Sequence, residues 1–458
     1  MKDKTTPRFA PVTLSRFRDE VARDGLAAAT ARLADTEAGD SLCAIIASDF
    51  TPPADARKGP LAGIPIGVKD NIDVLPYPTT AGSGALRANL PADDAPVVAR
   101  LRAAGAWFPA KLNMHELAFG TTSDNAAFGA VRNPHDPDRT AGGSSGGSGV
   151  AVACGLVPVA LGTDTGASVR IPAAFCGVAG LRPSTGRYPA GGVLHLSQTR
   201  DTIGILAACV ADLAEVDAVI TPDDSATISL PDRPVRLGLP ADTLPGYCAA
   251  VEDRFRAALD LLARQGLAEV IDLPAQGYAE IESTMGFPLV FGEALDYWTD
   301  FAETRLDQSF ADFADRLSSP DVRGLMQTLP ELARQTAGQR EQVVKYLRAA
   351  LQARYGALFG THGIDLVIAP SSPVQPPHPA QFTMMEAGGT RHDTMEVVTR
   401  NAAMATLIGA PSLTLPAGRD RDGLPVGLLL DAPIGADRSL LAWAARLETA
   451  LACPPASA

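Results

Sequence analysis

Short unbroken apolar runs alternate along this chain with longer stretches in which apolar side chains return at helical spacing. Most changes of rhythm fall near a glycine, proline or aspartate. Residues 95–104 predict an amphipathic helix with Asp94 as its N-cap and Gly105 as its stop, and residues 106–110 an apolar strand. Residues 150–154 predict a buried helix and 156–161 a buried strand. Val251, Phe255, Ala258, Leu259 and Leu262 mark one face of a helix that ends at Gly266. From 275 to 350 the pattern is mainly helical, with Phe287, Phe291, Tyr297 and Trp298 near its start; these aromatics either pack the helices together or contact a ligand. Strand character returns at 364–370, a proline-rich loop follows over 370–379, residues 410–430 read as sheet, and Leu440, Leu441, Ala444 and Leu447 share a face of a last helix. Such alternation predicts an α/β fold, a sheet sandwiched between helices, without internal repeats.

Composition narrows the partners. A net charge of −13 argues against nucleic acid or an anionic membrane and leaves a small neutral or weakly charged molecule. The most apolar stretch, 150–161, is broken by Gly155 and Pro158 and is too short to cross a bilayer. Residues 1–7 are polar and carry no secretory signal, so a cytoplasmic location is expected. Six cysteines, at 43, 154, 176, 209, 248 and 453, show no C-x-x-C or His/Cys metal spacing. Reduced, buried thiols and no metal are expected.

The chemistry concentrates in three places. Leu61 to Asp73 is an apolar run that ends in the polar cluster Lys69-Asp70-Asn71, a strand delivering its last residues into a site. Burial against Ile64, Ile66 and Val68 would disfavour the ammonium form of Lys69, which is what a lysine base needs near neutrality. Alone, Lys69 reads as an exposed lysine at a strand end, and only the two serine motifs that follow turn it into a base. Gly142-Gly143-Ser144-Ser145-Gly146-Gly147-Ser148 has the composition of a flexible linker, but it runs directly into core-like residues. The Lys-Ser/Thr ending of a phosphate-binding loop is missing. Gly142 to Gly146 formally matches the G-x-S-x-G nucleophile elbow, yet the proline-rich 133–140 ahead of it has no strand character.

The third place is Gly162-Thr163-Asp164-Thr165-Gly166-Ala167-Ser168-Val169-Arg170-Ile171-Pro172. A tight turn after a strand would expose Ser168 and aim the backbone N–H groups of Thr165, Gly166, Ala167 and Ser168 at one spot, as an oxyanion hole requires. Asp164 and Arg170 would pair to hold the turn, Thr163 would hydrogen-bond near the serines, and a surface ion pair with an ordinary strand threonine is the alternative. A serine needs a base. The residues therefore point to a serine hydrolase working through lysine rather than histidine.

On these motifs, and on 111–120, 177–188, 410–416 and 423–427, the chain resembles the amidase signature family over most of its length. The resemblance implies a mixed central β-sheet covered by helices on both faces, and a Ser–cis-Ser–Lys site with Ser168 as nucleophile, Ser144 as bridging serine after a cis Gly143–Ser144 peptide, and Lys69 as base. It implies no metal or cofactor, a small-molecule amide substrate and an acyl-enzyme; a homodimer is compatible. Residues 111–134, 181–189 and 197–202 are most similar to the indoleacetamide and mandelamide hydrolase branch, which implies an aryl or arylacetic primary amide such as indole-3-acetamide. The competing branches are a glutaminase-type amidotransferase A subunit, which typically carries glutamine where Ile171 stands, and a non-catalytic scaffold. Ala167 replaces the glycine common in the family before the nucleophile, which puts substrate range in question. We expect one body over 1–458, with catalytic core motifs in 60–220, a mainly helical substrate-side insertion over 225–350 and a return to the central sheet over 355–458. His115, beside Glu116, either faces the site or is a satisfied structural histidine.

Overall fold

A computed structural model describes residues 10–34, 41–53, 58–222 and 228–452. The expectations placed on residues 1–7 and Cys453 lie outside them. Eleven strands form one mixed sheet: β1 (Ile45–Ser48), β2 (Pro65–Lys69), β3 (Trp107–Leu112), β4 (Val159–Asp164), β5 (Ala179–Arg182), β6 (Thr202–Ala207), β7 (Val235–Pro240), β8 (Ala268–Leu273), β9 (Leu366–Pro370), β12 (Ser412–Arg419) and β13 (Pro425–Asp431). Their order is β1-β3-β2-β4-β6-β5-β12-β13-β9-β7-β8, and β10 (Met384–Ala387) pairs with β11 (Thr390–Asp393) as a separate hairpin. β2 runs parallel to β3 and β4, whereas β4, β6, β5, β12, β13 and β9 alternate in direction.

Both faces of this sheet are covered. Val159 and Leu161 of β4 join one apolar cluster with helices Val210–Ile220, Ala249–Arg264 and Asp437–Ala452, while Ala160 between them joins another with Gly146–Ala153. Successive side chains of a strand point to opposite faces, so helices on both sides explain why the strands read as unbroken apolar runs. The pairing Ile66↔Val159 and Val68↔Leu161 carries the end of β2, Lys69, alongside the end of β4.

Several elements shift from the expected bounds. The strand expected at 156–161 is Val159–Asp164, because Pro158 precedes it and the ladder with β6 continues to Asp164↔Thr202. The helix expected at 95–104 is Pro96–Ala103, with Gly105 just beyond it at φ +95°. Asp94 is not its N-cap: the Asp94 carboxylate accepts instead from the Leu75 N–H at 2.8 Å and from Arg102. The thiols differ as well, since Cys154 and Cys176 are buried but Cys43, Cys209 and Cys248 are only half-buried. Among the described residues, no helix is long and apolar enough to cross a membrane.

The helical stretch from 275 opens on a π-helical turn, Glu282–Gly286, that continues into Phe287–Arg305. Its aromatics divide. Trp298 is fully buried against Phe301 and Phe313, and Tyr297 packs edge-on against it at 5.2 Å, whereas Phe287 and Phe291 stack at 5.7 Å and line a pocket.

Candidate active site

Lys69 ends β2 with no exposed surface. Its Nζ lies 2.7 Å from Ser144 Oγ and 2.7 Å from Thr163 Oγ1, with the Thr163 carbonyl at 3.4 Å. Among the described residues it meets hydroxyls and a carbonyl but no carboxylate. Burial therefore pulls its pKa from the usual 10.5 down to about 7, against the opposing pull of Asp201 and Asp164. A second lysine that sequence reasoning left aside, Lys111, is equally buried but sits 3.4 Å from Asp70 and donates to the Ile72 carbonyl at 2.7 Å. Burial lowers its pKa too, with Asp70 opposing.

Ser144 stands just ahead of the helix Gly146–Ala153, and the Gly143–Ser144 peptide is cis. Ser123, at φ +50°, ties this loop down: its Oγ donates to the Gly142 carbonyl at 2.8 Å and accepts from the Gly146 N–H at 3.1 Å. No strand occupies 133–145, and the Ser144 hydroxyl meets Lys69 rather than an imidazole, so the nucleophile-elbow alternative falls.

Ser168 follows β4 in the turn before the helix Arg170–Cys176. The Ser145 N–H donates to the Ser168 carbonyl at 3.1 Å, which brings the two serine loops side by side. The Ser168 hydroxyl itself is not hydrogen-bonded to Ser144 here; the residue is 6% exposed and lines the pocket together with Thr165 and Gly166.

Asp164 organises the turn. Its carboxylate accepts from the Ala167 and Val169 N–H groups at 3.1 Å each, from Arg170 Nε and Nη2 at 3.0 Å, and from Arg182 Nη1 at 3.3 Å. Burial alone would push this carboxyl up, but Arg170 and Arg182 outweigh it and hold it well below the usual carboxylate range. The pair is fully buried, not a surface ion pair. The expected donor set needs one correction: the Ala167 N–H is occupied by Asp164 Oδ1. Among the described residues the N–H groups of Thr165, Gly166 and Ser168 remain without an acceptor.

Above Ser168 lies a pocket that is partly open to solvent and has a cavity volume of about 70 Å³. Phe287, Val290, Phe291, Leu325 and Met395 form apolar walls. The sequence profile of the Amidase family matches residues 44–441. The chain belongs to the Amidase family. It is 39% identical over 401 residues to an indoleacetamide hydrolase of Agrobacterium vitis, covering 85% of this chain and 84% of that protein. It is 36% identical over 412 residues to a mandelamide hydrolase of Pseudomonas putida, covering 86% and 80%. A crystal structure of an amidase superposes with a TM-score of 0.80 at 30% identity, over 96% of this chain and 99% of that one. The chain is accordingly an enzyme with the amidase-signature fold, a hydrolase of amide C–N bonds.

Two groups in this amidase escaped the sequence reading. Asp201 accepts from Thr165 Oγ1, from His195 Nδ1 at 2.9 Å and from the Leu196 N–H at 3.0 Å, so it ties the turn that carries Ser168 to residues 195–196. Arg200 and Glu282 line the pocket as a charged pair. The 197–202 segment was legible as a family motif, but nothing local says where its charges point. His115 is a satisfied structural histidine, with Nε2 3.0 Å from Asp321 and Nδ1 3.3 Å from Thr122 Oγ1.

Ala167 adopts φ +94°, so its methyl does not confine the turn to negative φ, as its side chain would favour. That methyl is fully buried in the cluster with Ile171 and Phe175. Ala167→Gly would relieve positive φ but remove the buried methyl, two terms of about 1 kcal/mol with opposite signs. We expect denaturant unfolding to shift by less than about 1 kcal/mol and turnover to persist; a loss beyond about 2 kcal/mol would mean that methyl packing dominates.

Proposed function

We propose that the enzyme hydrolyses a neutral aryl or arylacetic primary amide, of the kind represented by indole-3-acetamide, to the carboxylic acid and ammonia through an acyl-enzyme on Ser168. The observation that carries this reading is Lys69, a fully buried amine bonded to hydroxyls with no carboxylate in contact, beneath an apolar pocket that opens on Ser168. Neutral Lys69 takes the Ser144 proton, Ser144 takes the Ser168 proton as that unpartnered hydroxyl turns toward it, and Ser168 Oγ attacks the carbonyl carbon. The N–H groups of Thr165, Gly166 and Ser168 receive the oxyanion. When the C–N bond breaks, the proton returns through Ser144 to the leaving nitrogen. Water then attacks the ester by the same relay and releases the acid. Thr163 fixes the amine, and Gly143, Asp164 and Arg170 hold the two serine loops. The chemistry calls for no metal or cofactor. The same reading puts the enzyme in the cytoplasm as a single chain or a homodimer, which light scattering distinguishes.

The test is ammonia release from indole-3-acetamide, mandelamide, benzamide and glutamine. Release from aryl amides with little from glutamine supports the reading; release from glutamine alone would replace it with a glutaminase. A pH profile tests the base. The free enzyme must carry Lys69 as the amine, so kcat/KM is expected to rise with pH through about 7 and to level above it, since the ammonium form below that value has no lone pair. Lys69→Met should remove this acid limb along with most of the activity, on the order of 10²–10⁴-fold.

A further inference from the structure

Among the residues that line the pocket above Ser168, Glu282 is the only carboxylate and Arg200 the only cation. The pair is built in an uncommon way. Arg200 is fully buried, and only its Nη2 is engaged: it donates to Glu282 Oε1 at 3.0 Å, Glu282 Oε2 at 2.9 Å and Thr406 Oγ1 at 2.8 Å. Arg200 Nε and Nη1 have no hydrogen-bond partner among the described residues. A buried guanidinium satisfied through one nitrogen is a poor way to stabilise a core, because desolvating the charge costs more than one shared contact returns. The arrangement makes sense if the arginine's task is to hold the carboxylate.

The carboxylate is held beside the turn that carries Ser168. Glu282, whose side chain keeps 14% exposure, sits in the π-helical turn that opens the helical segment, a local widening that often marks functional sites. A methyl on Gly166, in the nucleophile turn, would stand only 3.9 Å from Glu282 Oε1 and 3.9 Å from Arg200 Nη2, so no side chain separates the pair from the turn. A methyl on Gly286 would come within 2.3 Å of Glu282 Oε2, so glycine there is what lets the carboxylate lie in its present position. Both carboxylate oxygens lean on a single nitrogen, which leaves each with an unused lone pair. With Arg200 neutralising it, the pair offers hydrogen-bond acceptance without net charge. It therefore suits a neutral N–H or O–H donor better than an ammonium group, and it lines the same pocket as Ser168.

We propose that Glu282, positioned by Arg200, is a specificity-determining residue that accepts a hydrogen bond from an N–H or O–H on the acyl group, and so selects arylacetamides that carry such a donor over isosteres that lack it. This rests on the amide-hydrolase reading above and deepens it. The indole N–H of indole-3-acetamide and the α-hydroxyl of mandelamide are both donors of this class.

The experiment compares kcat/KM for two matched pairs, indole-3-acetamide with naphthalene-1-acetamide and mandelamide with phenylacetamide, in the wild type, Glu282→Gln and Glu282→Ala. The wild type is expected to favour the donor-bearing member of at least one pair by roughly 10- to 100-fold, the discrimination that a hydrogen bond to a charged acceptor provides. Glu282→Ala should bring that ratio to about one on top of whatever loss both members share once Arg200 lacks its counter-ion, and Glu282→Gln, which keeps a carbonyl acceptor, should fall between. A wild-type ratio near one in both pairs, with ammonia released from every amide, would overturn this inference while leaving the hydrolase reading intact. Equal loss on both members in Glu282→Gln would also overturn it by making the pair purely structural. Ammonia from none of the four amides would strike the underlying reading instead.

Discussion

Ser168→Ala is expected to lower kcat/KM by about 10⁴-fold or more while leaving the unfolding free energy within about 0.5 kcal/mol of the wild type. The two halves of this prediction come from one observation. The Ser168 hydroxyl faces the pocket and holds no structural hydrogen bond, so deleting it removes the attacking atom and nothing that the fold depends on. Removing the nucleophile deprives Lys69 and Ser144 of a proton to move, so the remaining rate comes only from binding and the oxyanion donors. Ammonia release under single-turnover conditions measures the first half and urea unfolding the second. A serine-directed phosphonate should label the wild type and not the variant. More than a hundredth of the wild-type activity in Ser168→Ala, or undiminished phosphonate labelling, would move the nucleophile elsewhere. Ser123→Ala makes the opposite control: its Oγ ties Gly142 and Gly146 within the loop that carries Ser144, so stability should fall before the chemistry does.

What was legible in the sequence follows the range over which each signal acts. The strand ending in Lys69, the helix after Gly146 and the face made by Val251, Phe255, Ala258, Leu259 and Leu262 could be read because periodic burial is a local property, recorded within one element. The burial of Lys69 was legible only together with the two serine motifs, since its strand alone reads as well with an exposed lysine at its end. Asp94 shows the limit of local rules. An aspartate before a helix is a good N-cap, but Leu75 and Arg102 compete for its carboxylate, and a contact formed 19 residues away overrides the cap. The Arg200–Glu282 pair lies beyond such reading altogether, because its partners are 82 residues apart and meet only when the helical segment docks over the turn. Ala167 falls between these cases: its identity flagged the turn, but its φ depends on Asp164 drawing the Ala167 and Val169 N–H groups to one carboxylate.

That carboxylate gives the largest expected effect on stability. Asp164→Asn should reduce the unfolding free energy by about 3–5 kcal/mol and abolish most turnover, although Asp164 makes no contact with the substrate pocket. Asparagine keeps the shape but removes the charge that Arg170 and Arg182 share, leaving two fully buried guanidinium groups with no carboxylate in direct contact and only Asp431 nearby. Its amide also presents a donor where both carboxylate oxygens now accept, so at least one of the Ala167 and Val169 N–H groups loses its acceptor and the turn carrying Ser168 loosens. Acid dependence separates this account from a simple packing defect. Because the Asp164 carboxyl is held below its unfolded-state value of 3.8, its contribution is fully present above that value and is lost only as pH falls further, through the depressed folded-state value. The wild type should therefore keep this contribution from neutrality down to about pH 4, and the stability gap between the two proteins should narrow only in stronger acid. A gap below about 1 kcal/mol at neutral pH would show that Ser412 and the Ala402 carbonyl, which also accept from Arg170 Nη1 at 2.9 and 3.0 Å, suffice to compensate the buried charge.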